Sequence, residues 1–107
     1  MRYVVDIDAT ICTPIPGNYK AAEPFKKRIE KINQLYSEGH VIIFFTARGM
    51  TRFEGNVSKC YTEYYELTKN QLNEWGCLYH QLIMGKPDGD FFIDDRALND
   101  KTFFGDQ

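Results

Sequence analysis

An α/β fold built on a mostly parallel sheet is predicted by three features of the 107-residue sequence. Short β-branched and aromatic runs alternate with longer stretches of helical period. The run His40–Phe45 is apolar on both faces, which suits a parallel strand covered on two sides. Each run ends in polar residues, where parallel sheets bind their ligands. The length supports a single domain over residues 1–107 and leaves no room for a second.

The elements follow in order. Tyr3–Ile7 reads as a buried strand, and a loop marked by Pro14, Pro16 and Gly17 spans Cys12–Tyr19. Phe25, Ile29, Ile32 and Leu35 recur every three or four residues, so a helix is expected over Ala22–Ser37. Pro24 is tolerated in its first turn and Gly39 suits its end. His40–Phe45 is the second strand. The polar segment Thr46–Ser58, with Gly49 and Gly55, reads as a loop. Tyr61, Tyr64, Thr68, Leu72 and Trp75 form a stripe on a second helix, Val57–Trp75. Tyr79–Met84 and Phe91–Ile93 are expected as third and fourth strands. This order implies parallel strands joined by right-handed crossovers.

Composition narrows the function. With 43% hydrophobic and 26% charged residues the chain is ordinary for a globular protein. A net charge of −2 and the lack of a basic stripe argue against a nucleic-acid partner. The one basic run, Lys26, Lys27, Arg28 and Lys31, reads as a solvated helix face. Cys12, Cys60 and Cys77 are odd in number and show no CxxC spacing, so neither a disulfide framework nor a zinc knuckle is expected. The chain opens on a strand-like run with no leader-like or membrane-spanning stretch, which makes the cytoplasm the expected compartment and a membrane partner unexpected.

The polar groups just past the strands suit one reaction. Strand one runs into Asp6, Asp8 and Thr10, strand two into Thr46, Ala47 and Arg48, strand three into Gly85, Lys86 and Pro87, and strand four into Asp94 and Asp95. A phosphate monoester repels nucleophiles because its oxygens are already negative. A catalyst must therefore supply a nucleophile, neutralise that charge and protonate the leaving oxygen. Several carboxylates together need a cation between them, and oxygen-only ligands favour Mg²⁺. Thr46 can donate a hydroxyl hydrogen bond to a phosphoryl oxygen, and Lys86 can place a charge beside it.

Asp6-x-Asp8-x-Thr10, Thr46, Lys86 and Asp94-Asp95, in this order on strand ends, resemble the four motifs of the haloacid dehalogenase superfamily. The resemblance runs from residue 3 to residue 95. It implies a Rossmann-like three-layer sandwich with four or five strands and no cap domain. It also implies a Mg²⁺-dependent phosphatase acting on a small phosphorylated substrate through an aspartyl-phosphate. By that resemblance Asp6 is the nucleophile and Asp8 the general acid/base. Thr46 and Lys86 hold the phosphate, with Ala47 and Arg48 beside them, and Asp6, the backbone carbonyl of Asp8, Asp94 and Asp95 form the metal site, with either Asp94 or Asp95 as the direct ligand of that pair. Phe45–Gly49, Gly85–Pro87 and Ile93–Asp95 are further similar to small members of capsule and surface-sugar biosynthesis, which implies a sugar phosphate. Family members usually carry Gly where Ala9 stands. The segment Lys86–Phe91 is also too short for the helix that often follows the lysine. A missing fifth strand would leave a sheet edge for another subunit to cover.

The remaining residues have plainer readings. Arg48 either touches the substrate phosphate or an acidic group of its leaving portion, or pairs with Glu54 or solvent. Cys12 is expected as a small buried hydrophobe, and His40 and His80 as structural. Tyr61, Tyr64, Tyr65 and Trp75 suit a core or an interface better than base stacking. Competing functions are a phosphorylation receiver, a non-catalytic phosphate-binding module and a polynucleotide-end phosphatase. A receiver carries its acidic pair first, whereas Asp94-Asp95 comes last here.

Overall fold

The computed structural model describes residues 1–106. Three parallel strands, β1 (Arg2–Val5), β2 (Val41–Thr46) and β3 (Gln81–Met84), lie in the order β1-β2-β3. Helix α1 (Lys26–Ser37) crosses from β1 to β2 and α2 (Val57–Glu74) from β2 to β3. A short helix α3 (Asp100–Phe104) closes the described chain. Val5 is in register with Phe44, and Phe44 with Leu82. These three residues therefore share one sheet face. Ile29 and Ile32 of α1 and Leu72 of α2 join them in one apolar core. Each fully buried Ile or Leu of this kind contributes roughly 1.5–3 kcal/mol.

Both long helices pack on that face, because successive right-handed crossovers in one direction lie on the same side of a sheet. The opposite face is left half open, with Val4 at 62% and Ile83 at 36% exposure. The sheet has three strands rather than the four or five expected. Phe91–Ile93 is exposed coil, and the physical reason is length. A parallel strand needs a crossover of about a dozen residues or more, and only Gly85–Asp90 separate β3 from Phe91.

Helix α1 starts at Lys26 rather than Ala22. The residues before it are committed elsewhere: Cys12 bridges Pro24 in antiparallel fashion, and the Phe25 N–H donates to the Ile11 carbonyl at 2.8 Å. Arg28 overturns the solvated reading of the basic run. It is buried and spans 2.7 Å to Asp100 and 2.9 and 2.5 Å to Asp106. The same guanidinium donates to the Thr10 carbonyl at 3.0 Å and lies over the Phe104 ring. Residues near the carboxyl end are thereby tied to the turn after β1. Among the described residues no helix is long and apolar enough to cross a membrane.

Candidate active site

The turn after β1 sets the first part of the site. The Thr10 and Ile11 N–H groups both donate to the Ile7 carbonyl, at 3.0 and 2.9 Å, and the Ala9 N–H donates to the Cys12 carbonyl at 2.9 Å. This tight reversal puts Ala9 at φ 66°, a left-handed conformation that costs a residue with a Cβ roughly 1–2 kcal/mol. Ala9 thus stands at a position where Gly would fit best.

Asp6 sits one residue past β1, at the carboxyl end of the sheet. Lys86 Nζ lies 3.3 Å from Asp6 Oδ1, and the Thr10 hydroxyl donates to Asp6 Oδ2 at 3.2 Å. Burial pushes the Asp6 carboxyl above its ordinary value. Lys86, the Ile7 N–H and Thr10 act against burial by favouring the anion. Lys86 is held by its backbone, whose N–H donates to the Thr46 carbonyl at 3.1 Å. Its ammonium also lies 4.4 Å from the centre of the Phe92 ring. Thr46, the last residue of β2, is buried. Its hydroxyl oxygen accepts the Arg48 N–H at 3.1 Å, which leaves the hydroxyl proton free to be donated. Ala47 is half-buried and accepts the Met50 N–H at 2.9 Å, closing the turn beyond β2.

Arg48 departs from both of its sequence readings. It faces neither solvent nor Glu54: its side chain is 0% exposed. Its guanidinium forks onto Asp8, with Nε 2.9 Å from Oδ2 and Nη2 3.0 Å from Oδ1. Nη1 donates to Thr68 Oγ1 at 3.2 Å and to Gln71 Oε1 at 2.6 Å. The Tyr19 ring covers the guanidinium at 4.8 Å. Gly49 follows at φ 86°, where an added Cβ would lie 2.8 Å from Tyr64 Cδ2. Sequence reasoning missed Thr68 and Gln71 as polar partners. Their spacing on α2 was the available signal, since residues three apart share a helix face.

Cys12 is buried and its thiol approaches Asp8 Oδ1 at 3.5 Å. Burial, with Asp8 adding to it, pushes that thiol up to about 12, so it is a protonated donor and not a nucleophile. His40 Nδ1 lies 3.0 Å from the Met1 amine, and His80 Nδ1 accepts the Ile42 N–H at 3.0 Å. Both histidines lie at the amino ends of β2 and β3, tied to main-chain nitrogens and away from the carboxyl ends that carry Asp6 and Lys86.

Asp94 and Asp95 are not brought to Asp6 as a cation cradle. They lie exposed on the coil that replaces the expected fourth strand, where Asp95 Oδ2 is 4.0 Å from Arg96 Nε. Among the described residues no three His, Cys, Asp or Glu side chains gather into a site for a metal ion. The oxygen donors suit Mg²⁺ by hardness, but as placed they do not fit around one ion. Asp8 gives both carboxylate oxygens to Arg48.

The rim is open. Asp6 keeps 31% of its side-chain surface and Asp8 25%. Surface hollows of about 500 and 300 Å³, both lined by Trp75, lie elsewhere. The molecule is thus a parallel α/β unit whose β1, β2 and β3 ends present two carboxyl groups, a lysine and two threonines at one edge. The same fold is found in the crystal structure of an MCSG target protein from Vibrio cholerae, with a TM-score of 0.90 and 28% identity over 99% of this chain and 89% of that one. No family model matches the chain, and no curated protein matches it.

Proposed function

We propose that the protein is a phosphatase of the haloacid dehalogenase type, which hydrolyses a small phosphate monoester through an aspartyl-phosphate on Asp6. One observation carries the reading: a carboxylate at the end of a parallel strand, 3.3 Å from a lysine and 3.2 Å from a threonine hydroxyl, with a second carboxylate two residues on. A nucleophilic carboxylate must be an anion beside a positive charge that can also neutralise the substrate. Asp6 and Lys86 form that pair.

The steps run on this chain's own side chains. Lys86 and Thr46 hold the phosphoryl oxygens. An Asp6 oxygen attacks phosphorus in line as the bond to the leaving oxygen breaks, and Asp8 gives that oxygen a proton. Asp8 then takes a proton from water, whose oxygen attacks phosphorus and frees Asp6 and phosphate. A screening role for Mg²⁺ on the phosphate charge would rest on family analogy alone. Because the acidic residues as placed do not surround an ion, no step is assigned to it. The open rim suits a substrate small enough to be held by its phosphate. A sugar phosphate is favoured by family analogy alone.

Turnover of p-nitrophenyl phosphate with Mg²⁺ tests the reading. Asp6→Asn should lower kcat by roughly a thousandfold or more, because the nucleophile acts as a unit with its partners. Full activity in Asp6→Asn would refute the mechanism.

A further inference from the structure

A guanidinium removed from water costs several kcal/mol before its partners compensate, and an apolar residue of similar size often serves stability as well. Burial of Arg48 therefore calls for a role beyond packing. Its contacts come from three separate places: Asp8 after β1, Thr68 and Gln71 on α2, and Tyr19 in the loop before α1. The Gln71 side chain is itself fixed at both ends. Its oxygen accepts from Arg48, and its Nε2 donates to the Tyr19 carbonyl at 2.6 Å. The Tyr19 hydroxyl oxygen accepts the Gly49 N–H at 3.1 Å. Every element touching Arg48 is thus anchored to another.

What this frame holds is the plane of one carboxylate. A carboxylate offers about four lone-pair sites. On Asp8, Oδ1 takes Arg48 Nη2 and the Cys12 thiol, whereas Oδ2 takes Arg48 Nε alone. One acceptor site on Oδ2 stays open, on a side chain that keeps 25% of its surface.

We infer that Arg48, backed by Thr68 and Gln71, is a positioning residue that aims the free site of Asp8 Oδ2 at the leaving oxygen of the substrate. The inference rests on the phosphatase reading and adds to it the device that orients the proton donor. A planar fork fixes a carboxylate plane, and an ammonium does not. Arg48→Lys keeps the charge and removes the orientation.

The experiment compares wild type, Arg48→Lys, Thr68→Val, Asp8→Asn and the Arg48→Lys/Asp8→Asn double variant. Substrates run from p-nitrophenyl phosphate, whose leaving group needs little protonation, to an alkyl phosphate, whose leaving group needs it fully. Misaiming a proton donor by about 1 Å costs roughly a hundredfold. Arg48→Lys should lose about that factor in kcat on the alkyl phosphate and only about threefold on p-nitrophenyl phosphate, with KM unchanged. Thr68→Val, nearly isosteric, should show the same leaving-group pattern at about tenfold, which keeps the test usable if Arg48→Lys folds poorly. In the Asp8→Asn background Arg48→Lys should cost nothing further. Equal losses on both substrates, or the same loss with and without Asp8, would overturn the inference while leaving the phosphatase reading intact. A wild type with no phosphatase activity would overturn both together.

Discussion

The two ends of the acidic rim are built in opposite ways. At Asp6 and Asp8 each carboxylate is met by a cation and by a second donor, inside a turn closed by three backbone hydrogen bonds. At Asp94 and Asp95 the chain is exposed coil, and the lone ion pair spans 4.0 Å between largely solvated groups. The difference teaches that acidic motifs of similar appearance acquire structure only from what packs beneath them. Asp6 and Asp8 stand over Ile7, Ile11 and Cys12, all fully buried. Beside Asp94 stands Ile93, 97% exposed.

Several substitutions can sharpen or break this contrast. The largest change in stability is expected for Gly49→Ala on the built side. Its φ of 86° and the 2.8 Å approach of the new Cβ to Tyr64 predict about 3 kcal/mol of destabilisation, read from the urea midpoint. Arg28→Ala, which cuts the link from Asp100 and Asp106 to the Thr10 carbonyl, should cost about 1–3 kcal/mol.

Arg28 also predicts a pH dependence. Its hydrogen bonds hold the Asp100 and Asp106 carboxyls below their ordinary value of 3.8. Groups depressed in the folded state stabilise it above that ordinary value, and the stabilisation is lost as pH falls through the lowered ones. Acid titration of the melting temperature should show this loss in the wild type and much less of it in Arg28→Ala.

Ala9→Gly works in the other direction and should raise stability by about 1 kcal/mol, since it relieves the left-handed strain. The smallest effect belongs to the unbuilt side. Asp94→Asn and Asp95→Asn should leave the urea midpoint within about 0.5 kcal/mol of wild type. A larger loss would mean that the segment is packed after all, and would break the contrast.

Much of this architecture was legible in residue order. The first three strands and both long helices follow from periodicity, within a few residues at each end. What periodicity could not show was long-range pairing of polar groups. Arg28 sits in a lysine-rich run that looks solvated, and its partners lie 72 and 78 residues away. Arg48 is 40 residues from Asp8, and nothing local distinguishes a buried arginine from an exposed one. The fourth strand failed for a different reason. Phe91–Ile93 has strand-like composition, but composition does not count the residues needed to carry a chain across a sheet. The placement of the candidate site was legible where each residue lies at a strand end, as at Asp6, Thr46 and Lys86. It was not where the Asp94-Asp95 pair relied on a strand that does not form.

Arg28 gives the far end of the polypeptide a say in the geometry of Asp6. Helix α3 brings no group to the rim, yet Asp100 and Asp106 neutralise the cation that supports Thr10 from below, and Thr10 in turn holds Asp6. Removing residues 99–106 would leave that arginine without a counter-charge one hydrogen bond from Thr10.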